Sequence, residues 1–130
     1  MFLPLLALGQ LLAQLDATAL EGQWRNPSGN VIIAIAPCGE ALCGHVRWAS
    51  DKAMADARKG ATDPLVGAEL LSDIVPNGEG RWKARLFVPD LNKRSRVELR
   101  SLGTDQLMVK GCAVGRLLCK SQVWTRTEAE

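Results

Sequence analysis

Two neighbouring segments constrain this chain more than any other feature. Over residues 81–88 the side chains alternate, with Trp82, Ala84, Leu86 and Val88 on one face and Arg81, Lys83, Arg85 and Phe87 on the other. After the turn Pro89-Asp90-Leu91-Asn92-Lys93 the pattern resumes over residues 95–102, where Val97 and Leu99 oppose Arg96, Glu98 and Arg100. A period of two wound onto a helix would scatter the charges through the core, so both segments are predicted strands of one hairpin. Further strands are expected over residues 31–36, 44–48, 106–110 and 117–126, with Asn26-Pro27-Ser28-Gly29-Asn30 as another turn. Short strands at short intervals predict an all-β sandwich or barrel, and the β-branched run at 31–36 predicts burial on both faces or closure of a barrel. One short helix is expected over residues 51–59, DKAMADARK, stopped by Gly60 in the C′ position. No repeat, linker or low-complexity stretch divides the chain, so one domain is expected over residues 20–130.

The start of the chain follows other rules. Residues 1–15, MFLPLLALGQLLAQL, are apolar but broken by Pro4, Gly9 and Gln10, too short and interrupted for a spanning helix of about 20 residues. They run into Ala17-Thr18-Ala19, small residues where a signal peptidase needs them, so residues 1–19 are predicted to be a signal peptide cut after Ala19. The protein is therefore expected in the periplasm or outside the cell, in an oxidising compartment.

That compartment bears on the cysteines. Cys38 and Cys43 bracket one Gly-containing turn and Cys112 and Cys119 another. Four cysteines allow three connectivities, of which two local pairs are the economical reading. A zinc site is disfavoured because spacings of C-x4-C and C-x6-C lack the usual C-x2-C knuckle, and no metal or cofactor is expected.

Few groups could carry catalysis. His45 is the only histidine, which removes multi-histidine metal centres and leaves one base for any nucleophilic triad. Asp51, Asp56 and Asp63 share one loop and helix segment and could supply a carboxylate pair, although helix and turn capping explains them as readily. No phosphate-binding glycine loop or nucleophile elbow is present.

Charge is distributed unevenly. The chain carries only +2, too little to indicate specific nucleic-acid binding, yet residues 81–100 hold seven basic side chains against Asp90 and Glu98. Arg81, Lys83, Arg85 and Arg96 are therefore candidate contacts for an anionic ligand or an envelope surface, with a charged outer barrel face as the plainer explanation.

Several short motifs occur in a particular order: Gly22-Gln-Trp24, Gly29-Asn-Val31, Pro37-Cys38-Gly39, Leu42-Cys43-Gly44, Asp63-Pro64, Val88-Pro89-Asp90, Gly111-Cys112 and Gln122-Val-Trp124-Thr125-Arg126. In this order they resemble the bacterial family called domain of unknown function 2147, over essentially the whole mature chain. The resemblance implies a small exported protein with a lipocalin-like, antiparallel up-and-down barrel. The chain departs from the family's pattern at Asn92-Lys93-Arg94-Ser95, where an aromatic is lost, and in a more helical segment after Asp51.

In such a barrel the first and last strands meet, so Trp24, Trp124 and Arg126 are expected to close it, with Arg126 over the Trp24 ring. The leading functional reading is a monomeric, non-catalytic exported module that binds a small apolar or amphipathic ligand or an envelope component. The alternative is a hydrolase using the carboxylates of the Asp51 to Asp63 loop.

Overall fold

A computed structural model describes residues 19–112 and 119–128. The predicted signal segment 1–18, and the first two residues of the last expected strand, lie outside the described residues. Eight strands are present among the described residues: β1 (Gly22–Arg25), β2 (Val31–Cys38), β3 (Ala41–Ala49), β4 (Glu69–Pro76), β5 (Arg81–Val88), β6 (Lys93–Ser101), β7 (Gln106–Cys112) and β8 (Cys119–Thr127). Each pairs antiparallel with the next, and β8 returns to β1, so the sheet closes into an up-and-down barrel with no open edge. The one helix among the described residues, α1 (Asp51–Lys59), lies in the β3–β4 connection.

The strands read from the sequence are present: β5 with the expected bounds, β2, β3 and β7 longer by a few residues, β6 shifted to Lys93–Ser101, and β8 described over Cys119–Thr127. β1, expected only from the closure of the barrel at Trp24, and β4 do not show in the sequence pattern, and each hides it for a local reason. β1 is only four residues long and begins at Gly22, whose φ is 127°. β4 breaks its alternation: Leu70 and Leu71 are both buried, Asp73 has φ 53°, and the register with β5 shifts between Ser72 and Val75.

Helix α1 starts where Ser50 caps it, the Ala53 N–H donating to Ser50 Oγ at 3.1 Å, with Asp51 in the first turn and Arg58 and Lys59 in the last. Its end corrects the sequence expectation. Gly60 has φ −95°, and it is Ala61, at φ 68°, that turns left-handed. The Ala61 N–H donates to Arg58 O and the Thr62 N–H to Ala57 O, which puts Ala61 in the C′ position of a Schellman motif. Glycine is required at 60 for a different reason: a Cβ there would fall on the Pro89 carbonyl oxygen. The helix end thus lies directly against the β5–β6 turn.

That turn follows from its sequence. Pro89 fixes φ at the first corner, the Leu91 N–H donates to Val88 O, and Asn92 takes φ 52° to return the chain into β6. The core runs through the barrel and takes in Ala53 and Ala57 of α1 and Leu65 of the segment that follows it. Leu20, Trp24, Ile33, Leu71, Ile74, Leu99 and Leu107 are fully buried. Each such side chain contributes about 1.5–3 kcal/mol of transfer free energy.

Both cysteine pairs are disulfides between local partners, Cys38–Cys43 and Cys112–Cys119, each bridging consecutive strands. On the chain-entropy model the first closes a loop worth about 2 kcal/mol. The double variant Cys38→Ser/Cys43→Ser is expected to lose about that much in chemical denaturation; an unchanged midpoint would show that the bond adds nothing to an already tight hairpin.

Candidate functional site

Strand register determines what faces the lumen. Trp82 pairs with Leu99, Leu99 with Val109 and Val109 with Gln122, forming one interior rung across β5 to β8. The next rung is Ala84, Val97, Gly111 and Lys120. Above it Leu86 faces Ser95, and at the top Val88 faces Lys93. The lower rung is buried at Trp82, Leu99 and Val109, whereas Lys93, Lys120 and Gln122 are exposed although their strand parity points them inward.

The reason is an open cavity of about 590 Å³ at this end of the barrel. Leu86, Val88, Leu91, Val97 and Val109 supply apolar walls, Ser95 and Gln122 neutral polar groups, and Lys93, Arg94 and Lys120 positive charge. Among the described residues no acidic side chain lines it. Gly111 lines it and packs closely on β6, where a Cβ would stand 3.1 Å from Val97 Cγ1. Leu91, at the tip of the β5–β6 turn, is 64% exposed on the rim. Below the cavity, the Trp124 Nε1–H donates to Gln122 Oε1 at 3.1 Å, linking its polar edge to the core.

The opposite end is shut. Trp24 pairs with Arg126 across β1 and β8, and the Arg126 Cζ lies 4.3 Å from the centroid of the Trp24 ring. The same guanidinium donates to Thr104 O, Glu21 O and Ala19 O, each at 2.8 Å, and Trp24 Nε1–H donates to Leu20 O at 2.9 Å. Gly22 is needed beneath it: a Cβ would come within 2.6 Å of Arg126 Nη1, in addition to the strain of its left-handed φ. Trp124 is buried one interior position away, opposite Leu107.

The other sequence candidates lie elsewhere. Arg81, Lys83, Arg85 and Arg96 are all exposed on the outer face of β5 and β6, not in the lumen. Arg81 stands directly opposite Arg100 and Arg85 opposite Arg96, like-charge pairs that oppose strand pairing. Only Lys83 faces an acid, Glu98. A smaller hollow of about 190 Å³ on this side is bounded by Glu69, Ser72, Arg85, Phe87 and Arg94, with the Arg94 Cζ 4.6 Å from the Phe87 ring centroid.

His45 lies on the surface with Nε2 3.7 Å from Glu69 Oε2, both half exposed. Asp56 is held by Lys52 at 3.0 Å and Lys59 at 3.5 Å. The hydrogen bond from Lys52 holds its carboxyl below the usual range, so it stays ionised and is poorly suited to donate a proton. Among the described residues one group of three possible metal ligands gathers within 4.8 Å: Cys38, Cys43 and Glu69. Its two sulfurs are joined in the disulfide and are not available as thiolates.

Fold and cavity define the class: a small lipocalin-like β-barrel, closed at one end and open at the other. The chain belongs to the family described as uncharacterized protein conserved in bacteria, DUF2147, whose model matches residues 22–126. Among solved structures it is similar to protein HP1028 from Helicobacter pylori, described as belonging to the lipocalin family, with a TM-score of 0.63 at 12% identity over 84% of this chain and 83% of that one. At that identity the likeness concerns the fold alone. A comparison with curated proteins returned no match.

The inward positions of Lys93, Lys120, Gln122 and Gly111 were not singled out from the sequence. Parity would have found them. Counting back by two from Trp124 reaches Gln122 and Lys120, and counting back from Leu99 through Val97 and Ser95 reaches Lys93.

Proposed function

We propose that this protein is an exported, non-catalytic carrier or binding module that takes a small amphipathic molecule into the open half of its barrel. The observation that carries this reading is the cavity of about 590 Å³, well inside the range of roughly 300–1,000 Å³ usual for small-molecule sites and walled by apolar side chains with few polar groups. Nothing supports the hydrolase alternative, and Asp56, one of its three carboxylates, is held in ion pairs by Lys52 and Lys59. The direct test is calorimetric titration of the full mature chain with decanol. Saturable one-to-one binding is expected; heat no greater than dilution would reject a ligand in the lumen.

Export is part of the proposal. Two disulfides and membership of a bacterial family support an extracytoplasmic location. Among the described residues Leu20 is the first fully buried one, and the bond from Arg126 to Ala19 O is the one described contact that a cut after Ala19 would forfeit. N-terminal sequencing of the protein recovered from its native host is expected to begin at Leu20; an intact Met1 would contradict export by this route.

A second role, contact with an anionic envelope surface, is favoured by the outer face. Arg81 opposite Arg100 and Arg85 opposite Arg96 cost the sheet stability unless an anion is near. Vesicles containing phosphatidylglycerol are expected to bind the protein at low salt and release it as salt rises, while phosphatidylcholine vesicles do not. The variant Arg85→Glu/Arg96→Glu is expected to reduce that binding at least several-fold. Binding insensitive to salt, or unchanged in the variant, would reject this contact.

A further inference from the structure

We propose that the ligand of the lumen is a single-chain amphiphile with an anionic head, carboxylate or phosphate, held head-outward by Lys93 and Lys120; this rests on the lumen-binding reading above and gives it a chemical class. Three observations point the same way.

The first is the order of chemistry along the strands. The lower walls, Val97 and Val109, are apolar, and the positive groups come at or above that level: Lys120 beside Gly111, and Lys93 at the top of β6 opposite Val88. From Val97 to Lys93 the strand rises on the order of 13 Å, at about 3.3 Å per residue. A ligand that buried its chain against the valines would therefore present its head among the lysines.

The second is the sign of the charge. The cavity is lined by Lys93, Arg94 and Lys120 and, among the described residues, by no acid. Among the described residues no ion pair joins any of the three to a carboxylate. Positive charge alone at the edge of an apolar hollow favours an anionic guest and repels a cationic one, because the low-dielectric walls reduce screening.

The third is direction. Most basic residues of β5 and β6 face outward, where they interact with solvent. Lys93 and Lys120 lie on the opposite parity, with the interior residues Val88, Ser95, Val97, Gln122 and Trp124. Solvation of the outer surface does not account for charge on that face. Arg94 borders the cavity, but its Cζ lies 4.6 Å from the ring centroid of outward-facing Phe87, so Lys93 and Lys120 carry the charge of the inward face.

The test compares probes that share one chain length. Decanoate, monodecyl phosphate, decanol and decyltrimethylammonium are titrated into the mature protein at low and at high salt. Decanoate is expected to bind roughly tenfold tighter than decanol at low salt, since each partly exposed cation contributes a factor of a few. The cationic probe is expected to bind more weakly than decanol, and the decanoate preference to shrink at high salt. Monodecyl phosphate tighter than decanoate would identify a phosphate head as the better match, whereas the reverse order would identify a carboxylate. In Lys93→Met/Lys120→Met, which keeps the apolar stems, the ratio of decanoate to decanol affinity is expected to fall toward one.

The outcomes separate. A wild-type ratio near one, or a ratio that survives the double substitution, overturns the head-group assignment and leaves lumen binding standing; survival would place the anion on the outer arginines instead. If none of the four probes binds, the lumen reading and this inference fall together.

Discussion

Trp24→Ala is expected to cost about 3–5 kcal/mol, among the largest losses of any single substitution in this chain, as is usual when a buried tryptophan is truncated. Trp24 is 1% exposed, lies on the first strand and is the surface on which the last strand is fastened. Its removal leaves a cavity at the closed end, takes away the donor to Leu20 O, and leaves Arg126 with no ring beneath it. For a domain of about this size the loss corresponds to a fall in melting temperature on the order of 10–20 °C. Arg126→Ala is expected to have a smaller effect, because the guanidinium is partly exposed and its three backbone acceptors can turn to water. Thermal unfolding of the two variants side by side checks both size and order. If Trp24→Ala lost less than Arg126→Ala, the closed end would be held by the guanidinium and not by the ring.

The second large effect concerns binding instead of stability. Ser95→Trp places an indole on the inward face of β6, where Ser95 stands opposite Leu86 and only partly buried. The new ring has the open cavity to enter, so overpacking is avoided and the melting temperature is expected to stay within a few degrees. Affinity for decanol is expected to drop by a hundredfold or more, because the apolar volume that would receive the chain is occupied. Retained affinity in a folded Ser95→Trp protein would move the binding site out of the barrel.

Much of this architecture is legible in the residues. The alternation of residues 81–88 and 95–102 identifies the β5–β6 hairpin and already assigns Leu86, Val88 and Val97 to one face. The spacing of the cysteines favours local pairs because each pair flanks a turn, and the structure contains those pairs. What sequence patterns conceal is irregular backbone. β4 escapes detection because Leu70 and Leu71 are buried in succession across a bulge, which no period-two template accepts. Gly60 misleads for a related reason. A glycine after a helix reads as the left-handed cap, but here Ala61 takes that conformation and Gly60 makes room for the Pro89 carbonyl of a turn far along the chain.

The cavity itself was the least legible feature. By composition a run such as Lys93-Arg94-Ser95-Arg96 reads as solvated surface throughout, and it takes counting by two from Leu99 to turn Lys93 and Ser95 inward and leave Arg94 and Arg96 outside. Whether a barrel is filled or open depends on the sum of side-chain volumes along its interior. Ala84 and Gly111 lie in one rung, and neither residue announces a void when taken alone.

The central claim is that the upper lumen, between β5 and β8, receives an amphipathic ligand. The most direct measurement is the change in backbone amide resonances of the isotopically labelled mature protein on addition of decanol. Shifts are expected to concentrate at Leu86, Ser95, Val97, Val109, Gly111 and Gln122, with Trp24 and Arg126 at the closed end little affected. Shifts confined to Arg81, Lys83, Arg85 and Arg96 on the outer face, or no shifts at saturating probe, would contradict the claim.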